Sequence, residues 1–461
     1  MLCQKPIHKF AFDKIFFYLF TLHNFAVVEI VIDIMKVMKY TKRIAASLLL
    51  IGCLFQNKIL ASEIEYYLKN FSADSVGNVL LVDKSQQRLL VLKSRAPQSV
   101  TAIDTFRITT GKIDGNKEKE GDKKTPEGIY RIVAAIPGNQ LPPKYGPMAF
   151  VLDYPNRVDR ILNRNGSNIW IHGRDEEITD RQTEGCISLE NRKLLELSRY
   201  ISLRETPVII IDSLYHNGHS LNNNEKFNLT DSLFVRWRES WETGDIEGLE
   251  RLLSDHFQTQ SKQSKKAFIA TKNYLETRYA WKEIGVDQLR FLQSDEEALI
   301  NFQQDYLCPV FFSRGDKELH LLWSDSSWSI IGESFTATRP RVYVSTAVNS
   351  FLRAWIHDWE AGQFEPYIAH YDSTFSSQSY PTLHDWAEYK KQVFSKSTAI
   401  KVVIEDVSVS SSAPRQWRVR FRQKYSSGNY RDTGQKTLLV TGHPLEPDQF
   451  KIINEEWEPI D

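Results

Sequence analysis

Trp170-Ile171-His172-Gly173-Arg174 is followed by Thr183-Glu184-Gly185-Cys186-Ile187-Ser188, whose cysteine stands fourteen positions past the histidine. An imidazole able to act as a base, a cysteine flanked by glycine, and a spacing long enough for a loop to fold back point to a thiol nucleophile with its activator. A free thiol has a pKa near ~8.5 and is only partly ionised at neutral pH, so His172 or a positive local field must generate the thiolate. Gly185 lets the main chain turn sharply and approach a substrate, and backbone amides beside the nucleophile can hold the charge that develops on a carbonyl oxygen. Alone, the pair is a weak signal: a cysteine between glycine and isoleucine is most often a small buried hydrophobe, and His172 suits a strand end equally well.

Upstream neighbours strengthen it. They are Thr110-Gly111-Lys112, the run Gly121-Asp122-Lys123-Lys124-Thr125-Pro126-Glu127-Gly128-Ile129-Tyr130, and Tyr145-Gly146-Pro147-Met148-Ala149-Phe150 leading to Leu152-Asp153-Tyr154-Pro155-Asn156. In this order, with the histidine and cysteine motifs, the set resembles the L,D-transpeptidase (YkuD-type) family over roughly residues 77 to 213. The resemblance implies a mostly-β sandwich that reworks the peptide stems of bacterial peptidoglycan. It further implies that Cys186 attacks the carbonyl of the third stem residue, His172 takes the thiol proton, and the Gly173 carbonyl holds the imidazole tautomer. Gly185, Thr183, Glu184, Tyr145 and Arg174 are then expected around the oxyanion and the bound stem. Read from its residues alone, the Gly121 to Gly128 run is a charged turn between two strands.

Two positions depart from the family pattern. Glu184 stands where most members carry histidine, and Ser188 where they carry Arg or Asn. A carboxylate beside Cys186 opposes the thiolate unless it points away or pairs with a cation such as Arg174 or Arg181. The family has a branch that varies here and includes cell-shape L,D-carboxypeptidases. Three functions therefore stay open: a transpeptidase, whose acyl-thioester is resolved by an amine; a carboxypeptidase, resolved by water to trim tetrapeptide to tripeptide stems; and an inactive wall-binding protein.

The frame agrees with an exported enzyme. The chain has 461 residues, and Lys+Arg and Asp+Glu are equal at 58, so no basic surplus argues for nucleic acid. Lys39, Lys42 and Arg43, the apolar stretch from Ile44 to Asn57 and the exit at Ala61-Ser62 read as a secretory signal too short to span a bilayer. Leu50-Ile51-Gly52-Cys53 also resembles a lipoprotein box, which would anchor the protein at a membrane through lipidated Cys53. The segment from Ile15 to Val28 fits no simple signal, and the favoured start is Met35 or Met38. Export to the periplasm or envelope leaves Cys186 and Cys308 as isolated thiols, with Cys308 a core residue. No ligand spacing implies a metal or other cofactor.

Expected organisation is a leader over 1–61, a connecting helix or linker over 62–76 with Glu63 to Lys69 helical, a catalytic domain over 77–213, and a linker over 214–229. Strands are predicted for Val79 to Asp83, Arg88 to Leu92, Phe106 to Thr110, Ile129 to Ala134, Ala149 to Leu152, Ile169 to His172 and Val208 to Ile211, with a helix over Asn191 to Arg199. Two repeats follow, over 230–338 and 339–461. Leu233, Trp237, Trp241, Gly244 and Phe257 return as Phe351, Trp355, Trp359, Gly362 and Phe375, each 118 positions later, and Phe302, Gln304 and Tyr306 return as Phe421, Gln423 and Tyr425. A helix with aromatics at i, i+4 and i+8, a glycine stop, then curved strands resembles the nuclear-transport-factor-2-like α+β cone. Such cones either hold a ligand against the aromatic helix face or keep those tryptophans as core and serve as spacers or homodimer surfaces.

Overall fold

The computed structural model describes residues 68–69, 77–96, 99–214 and 223–460. The leader, the Cys53 box and the start at Met35 or Met38 lie outside the described residues. Val79–Asp83 (β2) and Pro207–Ile211 (β9) are buried at every position and pair in parallel at the centre of the sheet. Around them lie Arg88–Ala96 (β3), Ser99–Arg107 (β4), Gly128–Pro137 (β5), Met148–Leu152 (β6), Trp170–Arg174 (β7) and Ile187–Glu190 (β8), in the order β4-β3-β2-β9-β5-β6-β7-β8.

That sheet curls until its ends meet. Thr109, just past β4, and Ser188 in β8 exchange backbone hydrogen bonds of 2.8 and 2.9 Å. Leu80, Leu89 and Phe106 from one end therefore share a single core with Phe150, Ile171 and Ile187 from the other. The helix α1 (Arg157–Ile161) is started by Asn156 and Asp159, each capping the other's backbone amide. A second helix, α2 (Asn191–Leu197), follows β8 and drops Leu194 and Leu197 into the core.

The repeats are two copies of one plan. The first runs α3 (Asn223–Thr243), α4 (Ile246–Leu252), β10 (Leu253–Thr259), α5 (Lys265–Arg278), β11 (Glu283–Gln293), β12 (Glu297–Leu307), β13 (Phe311–Ser324) and β14 (Ser327–Ala337). After β15 (Val342–Tyr343) the second runs α6 (Val344–Glu360), α7 (Phe364–Ala369), β16 (Tyr371–Ser376), α8 (Leu383–Lys396), β17 (Lys401–Ala413), β18 (Gln416–Ser427), β19 (Tyr430–Thr441) and β20 (Lys451–Pro459). Strand order β10-β14-β13-β12-β11 is reproduced as β16-β20-β19-β18-β17, and in each copy the first pair is parallel. Leu233, Trp237, Trp241 and Phe257, and likewise Phe351, Trp355, Trp359 and Phe375, are buried. The repeated aromatics are thus core, not the lining of a ligand site.

Several expectations are corrected. Leu68–Lys69 (β1) is not helical; it is extended and pairs with Leu292 and Phe291 of β11, whose backbone edge it completes. The expected linker to residue 229 ends early, because α3 begins at Asn223. Val342–Tyr343, placed in the second repeat, adds a strand to β13 of the first. Between Cys186 and its supporting helix lies the four-residue β8, and α1 was not anticipated.

Candidate active site

His172 sits in mid-β7, registered against Ser188 of the parallel β8. Cys186 lies two residues before Ser188, immediately ahead of β8. The imidazole is buried. Its Nδ1 donates to the Gly173 carbonyl at 2.8 Å, which leaves Nε2 as the basic nitrogen. Ser188 Oγ lies 3.5 Å from Nδ1 and is itself buried, and Tyr145 closes the ring's flank edge-on at 4.9 Å while touching Trp170 at 5.2 Å.

Burial pushes the His172 imidazole below its usual pKa, opposed by the Gly173 carbonyl and assisted by the charges of Arg174 and Lys144. Burial pushes the half-buried Cys186 thiol upward, and the Trp170 amide together with Lys117 and Lys144 only partly offsets this. Both shifts favour the uncharged forms of the thiol and the imidazole. The sulfur donates to the Asn168 carbonyl at 3.3 Å, and Asn168 itself has a left-handed backbone. Among the described residues no hydrogen bond joins Cys186 Sγ to His172.

The loop before Cys186 is held from two sides. Thr183 Oγ1 donates to the Cys186 carbonyl at 2.6 Å and accepts the Gly185 amide at 3.1 Å. Gly185 has φ +130°, and a Cβ there would stand 2.8 Å from the Lys124 carbonyl. Its amide is thus taken by the turn, and the expected oxyanion role does not fit it: its lack of a side chain serves the close passage of residue 124. Thr125, inside the run read as a charged turn, is buried and hydrogen-bonded to Gly185. Thr125, Asn168 and Ser188 were missed as site residues; only Thr125 and Ser188 lay in or beside quoted motifs.

Glu184 is exposed and pairs with Lys112 at 2.6 Å and Lys123 at 3.3 Å. The expected partners are engaged elsewhere, Arg174 with Glu176 and Arg181 with Asp114. Two lysines thus balance the carboxylate, and burial, not Glu184, is what raises the thiol. Arg174 contributes a positive field at the end of β7 without a free guanidinium.

Residues 77–210 match the L,D-transpeptidase catalytic domain family, YkuD. This part of the chain is an L,D-transpeptidase-family domain. Residues 228–334 and 347–456 each match the Cds6 C-terminal NTF2-like domain. YafK of Escherichia coli strain K12, which carries the L,D-transpeptidase name, is 28% identical over 121 residues, a match spanning 25% of this chain and 44% of YafK. The chain thus covers less than half the length of that relative. Among solved structures, Bd1075 of Bdellovibrio bacteriovorus aligns at a TM-score of 0.52 and 27% identity over 59% of this chain and 98% of its own. The helical cell shape determining protein Pgp2 from Campylobacter jejuni aligns at 0.46 and 25% identity over 57% of this chain and 95% of its own.

Next to the L,D-transpeptidase domain, the first repeat carries an open cleft of about 450 Å³ lined by Phe268, Thr271, Lys272, Glu333, Ser334 and Phe335 among others. Lys272 lies 3.6 Å over the Trp241 ring, and burial lowers its pKa to about 7. Glu333 pairs with Lys317, and its Oε2 has no partner among the described residues. The second repeat carries the same buried set as Lys390, Lys436 and Glu455, but there Tyr371 donates to Glu455 Oε2 at 2.8 Å and satisfies it.

Proposed function

We propose that this protein is an exported peptidoglycan L,D-transpeptidase working through a Cys186 acyl-thioester. The reading is supported chiefly by His172, whose Nδ1 is tied to its neighbour's carbonyl so that Nε2 is the basic nitrogen on the strand pair that leads to Cys186. The match of residues 77–210 to the L,D-transpeptidase family supports peptidoglycan stems as the substrate class. On this reading the thiol turns from Asn168 toward Nε2 and loses its proton as sulfur attacks the third stem residue's carbonyl. The S–C bond forms, the C–N bond to the terminal D-alanine breaks, and the proton passes from His172 to the departing amine. An acceptor amine from a second stem then attacks the thioester carbonyl, the N–C bond forms as the C–S bond breaks, and the amine's proton passes through His172 back to the sulfur. The orphaned Glu333 oxygen and the Lys272 ammonium in the first repeat's cleft suit a polar piece of the same wall polymer.

Incubating the purified protein and Cys186→Ala with disaccharide-tetrapeptide tests this. Crosslinked dimers from the wild type alone support the transpeptidase; tripeptide without dimers replaces it with a carboxypeptidase resolved by water. No turnover refutes both.

A further inference from the structure

We propose that Thr125 is a positioning residue for the nucleophile, its single hydroxyl setting the orientation of the Gly185–Cys186 peptide. The inference rests on the acyl-transfer reading of Cys186. Thr125 is fully buried, and its Oγ1 accepts the Gly111 amide at 2.8 Å and donates to the Gly185 carbonyl at 2.9 Å. Both ends of this bridge are glycines for a steric reason. A Cβ on Gly111 would collide with the backbone of residues 123–125, and one on Gly185 with Lys124. Three chain segments therefore meet backbone to backbone beneath the thiol: Lys112 N donates to Thr183 O at 2.9 Å and Thr183 N to Thr110 O at 2.9 Å, with Thr125 between.

The consequence follows from peptide planarity. In a trans peptide the carbonyl and the next amide point in opposite directions. Drawing the Gly185 carbonyl inward onto Thr125 turns the Cys186 amide the other way, and that amide has no acceptor among the described residues. An unpaired N–H on the nucleophile itself is a donor for the oxyanion formed when its sulfur attacks. Thr125 thus acts on the transition state without touching it, and Pro126, which has no amide to donate, ends the segment where the chain enters β5.

The test uses the full chain with disaccharide-tetrapeptide, and compares Thr125→Val, Thr125→Ser and Thr125→Ala. Val keeps the shape and loses the hydroxyl; kcat should fall on the order of 10–100-fold with KM changed less than about threefold, as expected when an oxyanion donor is misaimed. Ser keeps both hydrogen bonds and should restore kcat to within about threefold of wild type. The pH dependence of Cys186 alkylation by iodoacetamide should be the same in all of them, because the Thr125 hydroxyl touches the carbonyl and not the sulfur. Thr125→Ala gives the same split without a methyl against Gly185 O, and replaces Val should that variant fail to fold. Wild-type kcat in Val or Ala, no rescue by Ser, or a shifted alkylation profile overturns the role of Thr125 while leaving the enzyme reading intact. A wild type that is alkylated yet turns nothing over overturns both.

Discussion

Glu297→Gln should remove a large part of the pH dependence of stability. Glu297 opens β12 in the first repeat and reaches into the catalytic domain, where its carboxylate accepts from the Ile129 amide at 3.4 Å and Asn156 Nδ2 at 3.2 Å. Asp159, Tyr130 and Arg164 crowd the same site: Tyr130 OH donates to Asp159 at 3.1 Å, and Arg164 lies 3.3 Å from Asp159 and 3.7 Å from Glu297. Burial and then the neighbouring Asp159 push Glu297 from 4.5 up to about 8, and burial raises Asp159 as well. The sign follows directly. The folded protein holds a proton here that the unfolded chain releases above about 4.5, so the stabilisation is complete below that pH and is lost as pH rises through about 8. Over that window the carboxyl accounts for roughly 5 kcal/mol at most, at about 1.4 kcal/mol per pH unit. Thermal unfolding at pH 5 and pH 9 measures it, at about 2–4 °C per kcal/mol for a unit of this size. Wild type should lose several degrees more than Glu297→Gln between the two pH values, and the variant should be the more stable at pH 9. Parallel losses in the two proteins would refute the assignment of a buried proton to this interface.

Three further outcomes are expected. Iodoacetamide should alkylate Cys186 with a midpoint above 9, since burial raises the thiol; a reactive plateau near pH 5–6 would instead reveal a resting thiolate–imidazolium pair. Gly185→Ala, forced to φ +130° against Lys124, should cost about 1–3 kcal/mol in strain and lower the melting temperature by several degrees with loss of turnover, and an unchanged melting temperature would count against the tight passage. Lys390 is caged by Trp386 at 4.5 Å and Trp359 at 4.7 Å with its pKa lowered to about 7 by burial, so wild-type stability should climb as pH rises from about 7 toward 10.5. Lys390→Met should therefore gain most over wild type near pH 6 and least near pH 10; an equal gap at both would show that the lysine is not buried charged.

What was readable in the sequence depended on how local its cause was. Runs such as 79–82 and 208–211 declare themselves because they are apolar on both faces, and the aromatic repeat is visible because the same helix face fills two cones of one plan. His172 and Cys186 stand out in the sequence through residue type and spacing, and the tie from Nδ1 to Gly173 involves adjacent residues. The partners of Glu184 were not, because Lys112 and Lys123 are brought to it by the bridges Gly111–Thr183 and Ile113–Lys124, which are long-range pairings with no periodic signature. Thr125 was hidden for the same reason, its partners lying 14 and 60 positions away in sequence. The strand β8 was obscured by its brevity, since four residues cannot establish an alternation.

The contacts between domains bear on whether the first repeat is a mere spacer. A spacer needs only a linker, yet Arg157 at the start of α1 donates to the Gln258 carbonyl at 2.7 Å and the Glu333 carbonyl at 3.0 Å, and Arg131 of β5 pairs with Glu318. Glu333 is also the residue whose unpaired carboxylate oxygen belongs to the cleft wall. From there the connection is continuous: Arg157 follows the cap residue Asn156, which donates to the Ile129 carbonyl at 3.0 Å, and Ile129 stands four residues after Thr125 at the entry to β5. A ligand that drew Glu333 toward itself would act on a wall shared with the catalytic domain, whereas one in the second repeat would meet a carboxylate already satisfied by Tyr371. Contiguity alone transmits nothing unless one of these elements has two arrangements. Burial raises both Glu297 and Asp159, and Glu297 accepts from Asn156, so a change of protonation at this pair would alter a bond that runs between the two domains.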